Sequence, residues 1–440
     1  MKDTLRIALI SEHASPLATL GGVDAGGQNI YVNHVARTLA RAGHQVDVLT
    51  RRDDPHLPPV VDLQPGLRVI HIPAGPASFV RKEALIEHMP EFALVTEKLM
   101  RGSVPYDVAH ANFFMSGMVA QRLKASFGLP FVMTFHALGR VRKEHQKEAD
   151  GFPAERGAIE ESLVRDADAV VAECPQDKSD LVRLYGADPA SLWTVPCGYD
   201  PLEFSPLPRS EARRQLGLDP EEFIVLQLGR LVPRKGIDNV IRSLAALPRG
   251  VPARLLVVGG DSAVPDETRT PEIARLRQVA RDCGVEARVT FTGQRQRSEL
   301  RTYYAASDVF VTTPWYEPFG ITPLEAMACG VPVVGSAVGG IQYSVADGVA
   351  GFLVPPNDPV ALAARLAQLH ANPALASALG RGGIQRARSM FTWRQVARDL
   401  ARVYAAVCRK PVHVARPPVT APWSRTALIA KPVQPAVAAS

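Results

Sequence analysis

The stretch "VPCGYDPLEFSPLPRSEARRQLGLDPEE", residues 195–222, divides two runs of one pattern. Pro196, Pro201, Pro206 and Pro208 crowd its first half. Neither a helix interior nor a central strand accommodates prolines at that density. Before it, "LRIALIS" (5–11), "QVDVLT" (45–50), "LRVIHI" (67–72), "DVAHA" (107–111), "PFVMTFHA" (130–137) and "DAVVAE" (168–173) read as strands buried on both faces. After it come "FIVLQLG" (223–229), "ARLLVVGG" (253–260), "RVTFTG" (288–293), "DVFVTT" (308–313) and "VPVVGS" (331–336). Helical patterns lie between. The interdomain linker is therefore placed at 196–222, and the fold class is α/β. Two Rossmann-like, doubly wound parallel sheets face a cleft, with ligands expected at the carboxyl ends of strands.

Helices are expected over 358–371, 374–389 and 392–407, the last with Trp393, Val396, Leu400 and Tyr404 near one stripe. The helix after "GGQ" carries Ile30, Val35 and Leu39 near one face and reaches Gly43 where a C-terminal cap belongs. The boundaries are 1–200 and 201–390, with 411–440 as a disordered extension rich in proline and alanine.

Composition excludes several classes. The 440 residues are 46% hydrophobic and 21% charged, as in a globular chain. No apolar run approaches the ~18 residues that cross a membrane, and the N-terminus lacks a signal-peptide pattern. Five scattered cysteines indicate neither a disulfide framework nor a zinc site, so the cytoplasm is the expected compartment. Of the net charge of +6, the tail supplies three through Arg416, Arg425 and Lys431, leaving a mildly basic body and no call for nucleic acid.

Several motifs sit where chemistry is expected. "GGVDAGGQN" (21–29) joins the first strand to the first helix, and its glycines can aim backbone amides at a ligand. It lacks the GxGxxG dinucleotide fingerprint. In "GRLVPRKG" (229–236), Arg230 and Lys235 flank a proline turn after a strand and suit a diphosphate. "TFHALG" (134–139) places His136 at the end of an apolar strand, where a core histidine bonded to backbone is the plain alternative. Lys82, Arg156 and the run Arg140, Arg142, Lys143 add cations whose default is a solvated surface.

"YEPFGITPLEAMACG" (316–330) sets Glu317 and Glu325 on either side of Pro318, Gly320 and Pro323. Thr322 to Glu325 fits a capping box, a purely structural use of Glu325. Glu317 precedes that helix in an irregular segment where nothing local requires an acid. With the amides of Phe319 and Gly320, the two carboxylates could face one ligand and accept hydrogen bonds from vicinal hydroxyls.

In combination "DAGGQNIYV", "HANFFMSG", "TFHALG", "GRLVPRKG" and "EPFGITPLE" resemble the retaining glycosyltransferases of family GT4, over residues 5 to 407. That family includes sucrose-phosphate synthases and D-inositol-3-phosphate glycosyltransferases. The resemblance implies a GT-B fold and a metal-independent, cofactor-free hexosyl transfer from a nucleoside-diphosphate sugar, by default a uridine one. It implies a terminal helix at 391–407 that crosses back to the first domain. The donor would meet Glu317 (sugar), Glu325 (ribose), Arg230 and Lys235 (diphosphate), Gly26 and Gly27, with Phe319 and Gly320. The acceptor, a small sugar or polyol with or without a phosphate, would meet Asn29, Lys82, Phe113, His136 and Arg156; His136 would also lie beside the transferred sugar and, with Arg230, Lys235 and Glu317, form the catalytic set. Where the inositol-phosphate enzymes carry an aromatic hydroxyl and a threonine that help hold the acceptor phosphate, this chain has Phe113 and Ala137. The rival readings are a nucleotide-sugar epimerase, a non-catalytic sugar-nucleotide binder, and transfer to a lipid-linked or unphosphorylated glycan. A homodimer is left open.

Overall fold

A computed structural model describes residues 4–18, 26–146 and 151–409. The readings made of Gly21 to Ala25, of Lys147 and of the tail 411–440 lie outside them.

The first sheet has eight strands: β1 (Arg6–Ile10), β2 (Gln45–Arg51), β3 (Val60–Gln64), β4 (Leu67–Ile72), β5 (Val108–Asn112), β6 (Phe131–Thr134), β7 (Ala169–Ala172) and β8 (Leu192–Thr194). Their order is β3-β4-β2-β1-β5-β6-β7-β8. The second has β9 (Phe223–Leu228), β10 (Ala253–Val258), β11 (Val289–Gly293), β12 (Val309–Thr312), β13 (Val333–Ser336) and β14 (Gly351–Val354), in the order β11-β10-β9-β12-β13-β14. Every pairing is parallel except β3 on β4, so the first sheet is mixed at one edge. Strand order reverses between β1 and β5 in one sheet and between β9 and β12 in the other, and such switch points open crevices at the carboxyl ends.

The proline-rich linker is only partly a linker. Residues Arg209–Leu216 form a helix, and its Arg213 is buried against Ala306 and Asp308 of the second domain. The crossing helix is Trp393–Val407. Its Trp393, Val396, Leu400, Val403, Tyr404 and Val407 are buried. Trp393 stacks on His34 at 5.2 Å, and Tyr404 Oη lies 2.7 Å from His110 Nδ1 on β5. Burial pushes His110 down to about 3, with the charge of His136 adding to the effect. The ring is therefore a neutral core group. Where the linker meets the start of this helix, Tyr199 N donates to Phe391 O and Trp393 N to Tyr199 O.

Candidate active site

Two loops leave the switch point of the second sheet and clamp each other. The first, after β9, turns at Gly236 with φ +64, and a Cβ there would lie 2.0 Å from Thr313 O. Only glycine lets the backbones approach this closely. Thr313 Oγ1 donates to Gly236 O at 2.9 Å, Trp315 N to Arg234 O at 3.1 Å, and Arg234 Nη1 to Tyr316 O at 3.1 Å. On the other side a Cβ on Gly339 would meet Glu317 O at 1.9 Å, and Gly340 N donates to Pro318 O at 3.0 Å. Glu317 is thus held by backbone contacts from both flanks.

Its carboxylate is just as constrained. Lys235 Nζ donates to Oε2, and Arg234 Nη1 lies 3.5 Å from the same oxygen. Burial pushes the Glu317 carboxyl up, but Lys235 and Arg234 outweigh it and hold the group below its ordinary range. Lys235 is drawn below its own ordinary value, first by burial and then, against the pull of Glu317, by the like charges of Arg234 and Arg230. The two directions agree physically: one carboxylate faces several cations, so the cluster carries surplus positive charge that an anion would relieve. Among the described residues the amides of Phe319 and Gly320 donate to no protein acceptor.

Glu325 does not cap its helix. The helix runs Thr322–Ala328 with Ile321, already αR, as N-cap, and no side chain caps it. The capping-box expectation fails because the helical turn begins one residue early, so Thr322 is inside it. The Glu325 carboxylate, 1% exposed, instead accepts from Arg297 Nη1 and Tyr304 Oη, each at 2.9 Å. Arg297 Nε also donates to Glu203 at 2.5 Å. Glu203 lies in a trio with His34 and Asp200 whose ring-nitrogen and carboxylate oxygen atoms lie within 4.8 Å of one another. Of that trio, Glu203 is paired with Arg297.

The first sheet supplies the facing wall. His136 lies two residues beyond β6, with φ +58, a backbone region that non-glycine residues enter at a cost of roughly 1–3 kcal/mol. It is not bonded to backbone as the plain reading expects. Nδ1 lies 3.0 Å from Glu173 Oε1, at the end of β7, and Nε2 lies 3.0 Å from Asn112 Oδ1, at the end of β5. Tyr31 packs edge-on at 4.8 Å. The Cys197 thiol donates to the same Glu173 oxygen at 3.0 Å.

Arg156 is no solvated cation. It is 2% exposed, Nε donates to Glu160 at 2.7 Å, and the guanidinium sits 5.0, 4.8 and 4.5 Å from the Phe113, Phe114 and Phe152 rings. Its Nη1 has no partner among the described residues. Phe113 itself has φ +81. Lys82 is half-buried at the start of a 3-10 turn, Lys82–His88. Arg140 is bonded to Glu161, and Arg142 lies 5.2 Å from the Phe152 ring.

Asn29 is consumed locally: Oδ1 accepts from Gly26 N at 3.0 Å and Nδ2 donates to Ser15 O at 3.1 Å. Gly27 faces the second domain, where a Cβ would lie 3.8 Å from Ile321 Cδ1. The glycine turn and the Glu317–Glu325 junction therefore meet across the cleft. Away from the glycine turn, a cavity of about 250 Å³ opens beside Glu317, between Leu138, His145, Gln176 and Asp177 of the first domain and Trp315 and Gly339 of the second.

Asn112, Glu173, Arg234, Arg297 and Tyr304 were not singled out by the sequence. Arg234 and Glu173 were nonetheless within reach of it. The first adjoins Lys235 in a quoted motif, and the second is an acid ending an apolar strand.

Two packed Rossmann-like sheets, with charged loops converging from the carboxyl ends of both, define a GT-B enzyme. Residues 25–202 match the family described as Glycosyltransferase Family 4, and residues 208–386 match Glycosyl transferases group 1. The chain is 37% identical over 417 residues to the D-inositol 3-phosphate glycosyltransferase of Xylanimonas cellulosilytica, covering 92% of this chain and 98% of that one. It is 39% identical to D-inositol 3-phosphate glycosyltransferase 1 of Catenulispora acidiphila, covering 91% and 95%. Among solved structures, the sucrose-phosphate synthase of Thermosynechococcus elongatus superposes with a TM-score of 0.84 at 36% identity, covering 91% and 98%. The chain belongs to the group 1, family 4 glycosyltransferases, and it is a glycosyltransferase. No helix among the described residues is long and apolar enough to cross a membrane.

Proposed function

We propose that this enzyme moves a hexosyl group from a nucleoside-diphosphate sugar, by default a uridine one, to a small sugar or polyol, with retention of anomeric configuration and without a metal. The observation that carries the reading is the surplus of cations around Glu317 at the β9/β12 switch point. Arg230 and Lys235 neutralise the departing diphosphate, aided by backbone amides of the Phe319–Gly320 turn. Glu317 accepts hydrogen bonds from the sugar hydroxyls and Glu325 from the ribose, its orientation set by Arg297 and Tyr304. The second domain, 201–390, holds the donor. The first, 1–200, offers the acceptor from the side of His136 and Gly27. The Glu317 carboxylate is paired with Lys235 and Arg234, and in this reading the acceptor hydroxyl attacks the face the diphosphate leaves, and the departing phosphate oxygen takes its proton.

On the acceptor, the relatives' names and the orphaned Nη1 of Arg156 favour a phosphorylated polyol or sugar. The second reading is an unphosphorylated acceptor. What favours it is the phenylalanine cage, which packs rings where a phosphate oxygen would need to approach Arg156. A matched pair decides: inositol phosphate or a sugar 6-phosphate against its dephosphorylated form, with one donor. A preference for the phosphorylated member that Arg156→Ala and Lys82→Ala erase supports the first reading, and equal rates in the wild type support the second. Absence of transfer from UDP-, GDP- and ADP-sugars to either form would contradict the proposed reaction itself.

A further inference from the structure

Resting on the donor reading above, we infer that Arg234 is a positioning residue for Glu317, keeping its carboxylate charged and in place when Lys235 engages the donor diphosphate. Lys235 cannot give its full charge to two anions. Its Nζ already donates to Glu317 Oε2, and a diphosphate in reach of Arg230 and Lys235 would compete for that same ammonium. The arriving phosphates also repel the carboxylate. Glu317 therefore needs a cation that stays with it.

Arg234 is built for this. Its backbone oxygen accepts from Trp315 N at 3.1 Å, and its Nη1 donates to Tyr316 O at 3.1 Å. Both bonds go to the loop that bears Glu317, so the guanidinium is fixed to that loop while reaching Oε2 at 3.5 Å. Lys235 is joined to the same loop by its side chain, through the Glu317 pair. Two cations face Glu317 directly, Lys235 and Arg234, and in the donor reading one of them, Lys235, is shared with the diphosphate. In that division Arg230 and Lys235 meet the phosphates and Arg234 remains with the carboxylate.

The test compares two affinities in one protein. Full-length wild type, Arg234→Gln and Arg234→Lys are titrated calorimetrically with UDP, GDP and ADP and with the glucose ester of each. Arg234→Gln should bind the preferred nucleoside diphosphate within about twofold of wild type, yet bind its sugar ester about tenfold or more weakly, a difference of ~1.4 kcal/mol. Arg234→Lys should recover most of the loss. In Glu317→Gln, adding Arg234→Gln should cost the sugar ester nothing further, because both act through one carboxylate. General destabilisation would not move the ratio of the two affinities. Equal weakening of diphosphate and ester would make Arg234 a phosphate ligand and overturn the inference, as would no change in either. A wild type that binds none of the six probes would overturn the donor reading and this inference with it.

Discussion

Glu173 Oε1 lies 3.0 Å from Nδ1 of His136 while Asn112 Oδ1 lies 3.0 Å from Nε2, so both ring nitrogens are committed to protein oxygens. Asn112 can offer its oxygen because its Nδ2 donates to the carbonyls of Ile10 and His110, each at 3.3 Å. The imidazole is a fixed wall of the cleft, not a freely turning base.

Burial pushes the Glu173 carboxyl up, but the charge of His136 and hydrogen bonds from His136 and Cys197 outweigh it and leave the group below its ordinary range. A carboxylate lowered in the folded state contributes stability that is present above its unfolded value and lost as pH falls through its folded one. Glu173→Gln should therefore cost roughly 1–3 kcal/mol at pH 7. That deficit should shrink as pH is lowered through and below the carboxylate range. Urea melts at neutral and acid pH measure it, and an equal deficit at both would show that the charge of Glu173 contributes nothing.

Glu325→Gln should weaken donor binding and also lower stability, because a buried guanidinium loses one of its two carboxylates. Tyr304→Phe removes a single hydrogen bond to Glu325 and should cost about 1 kcal/mol. Calorimetric titration with the donor, alongside thermal melts, separates the effects. Full stability and full donor affinity in Glu325→Gln would contradict the assignment.

Removing residues 411–440 should leave fold and catalysis unchanged, since proline-rich, acid-free segments rarely pack. Removing 391–440 should not be tolerated. It strips Trp393, Val396, Leu400 and Tyr404 from the first domain at roughly 1.5–3 kcal/mol for each large side chain. A fragment ending at residue 390 that melts like the full chain would contradict the crossing-helix account.

If, as proposed, Arg230, Lys235 and loop amides supply the charge that a divalent ion supplies elsewhere, prolonged EDTA treatment should leave turnover intact. Activity lost to the chelator and restored by Mg²⁺ or Mn²⁺ would refute this.

The buried parallel strands could be read from the sequence because runs such as "LRIALIS" and "FIVLQLG" are apolar on both faces. β3, β8 and β14 could not. β3 is a half-exposed antiparallel edge, β8 spans three residues with Trp193 exposed, and β14 opens on a glycine. At the site, Glu317 and Lys235 stood out because each occupies a strand-to-helix turn. The partners of His136 did not, because Asn112 and Glu173 lie 24 and 37 residues away and reach it only through the register of β5, β6 and β7. Thr322 misled for the opposite reason. Its capping-box spacing is local and correct, but the chain enters that turn already helical at Ile321.

The most direct test is transfer itself, followed by NMR of the purified product. Wild type and Glu317→Gln are supplied with α-linked UDP-, GDP- and ADP-sugars and pools of phosphorylated and plain polyols. The account predicts an α-linked product from the wild type and at least about a hundredfold less from Glu317→Gln, a loss of ~2.7 kcal/mol in transition-state binding. A β-linked product, or Glu317→Gln turning over at the wild-type rate, would contradict it.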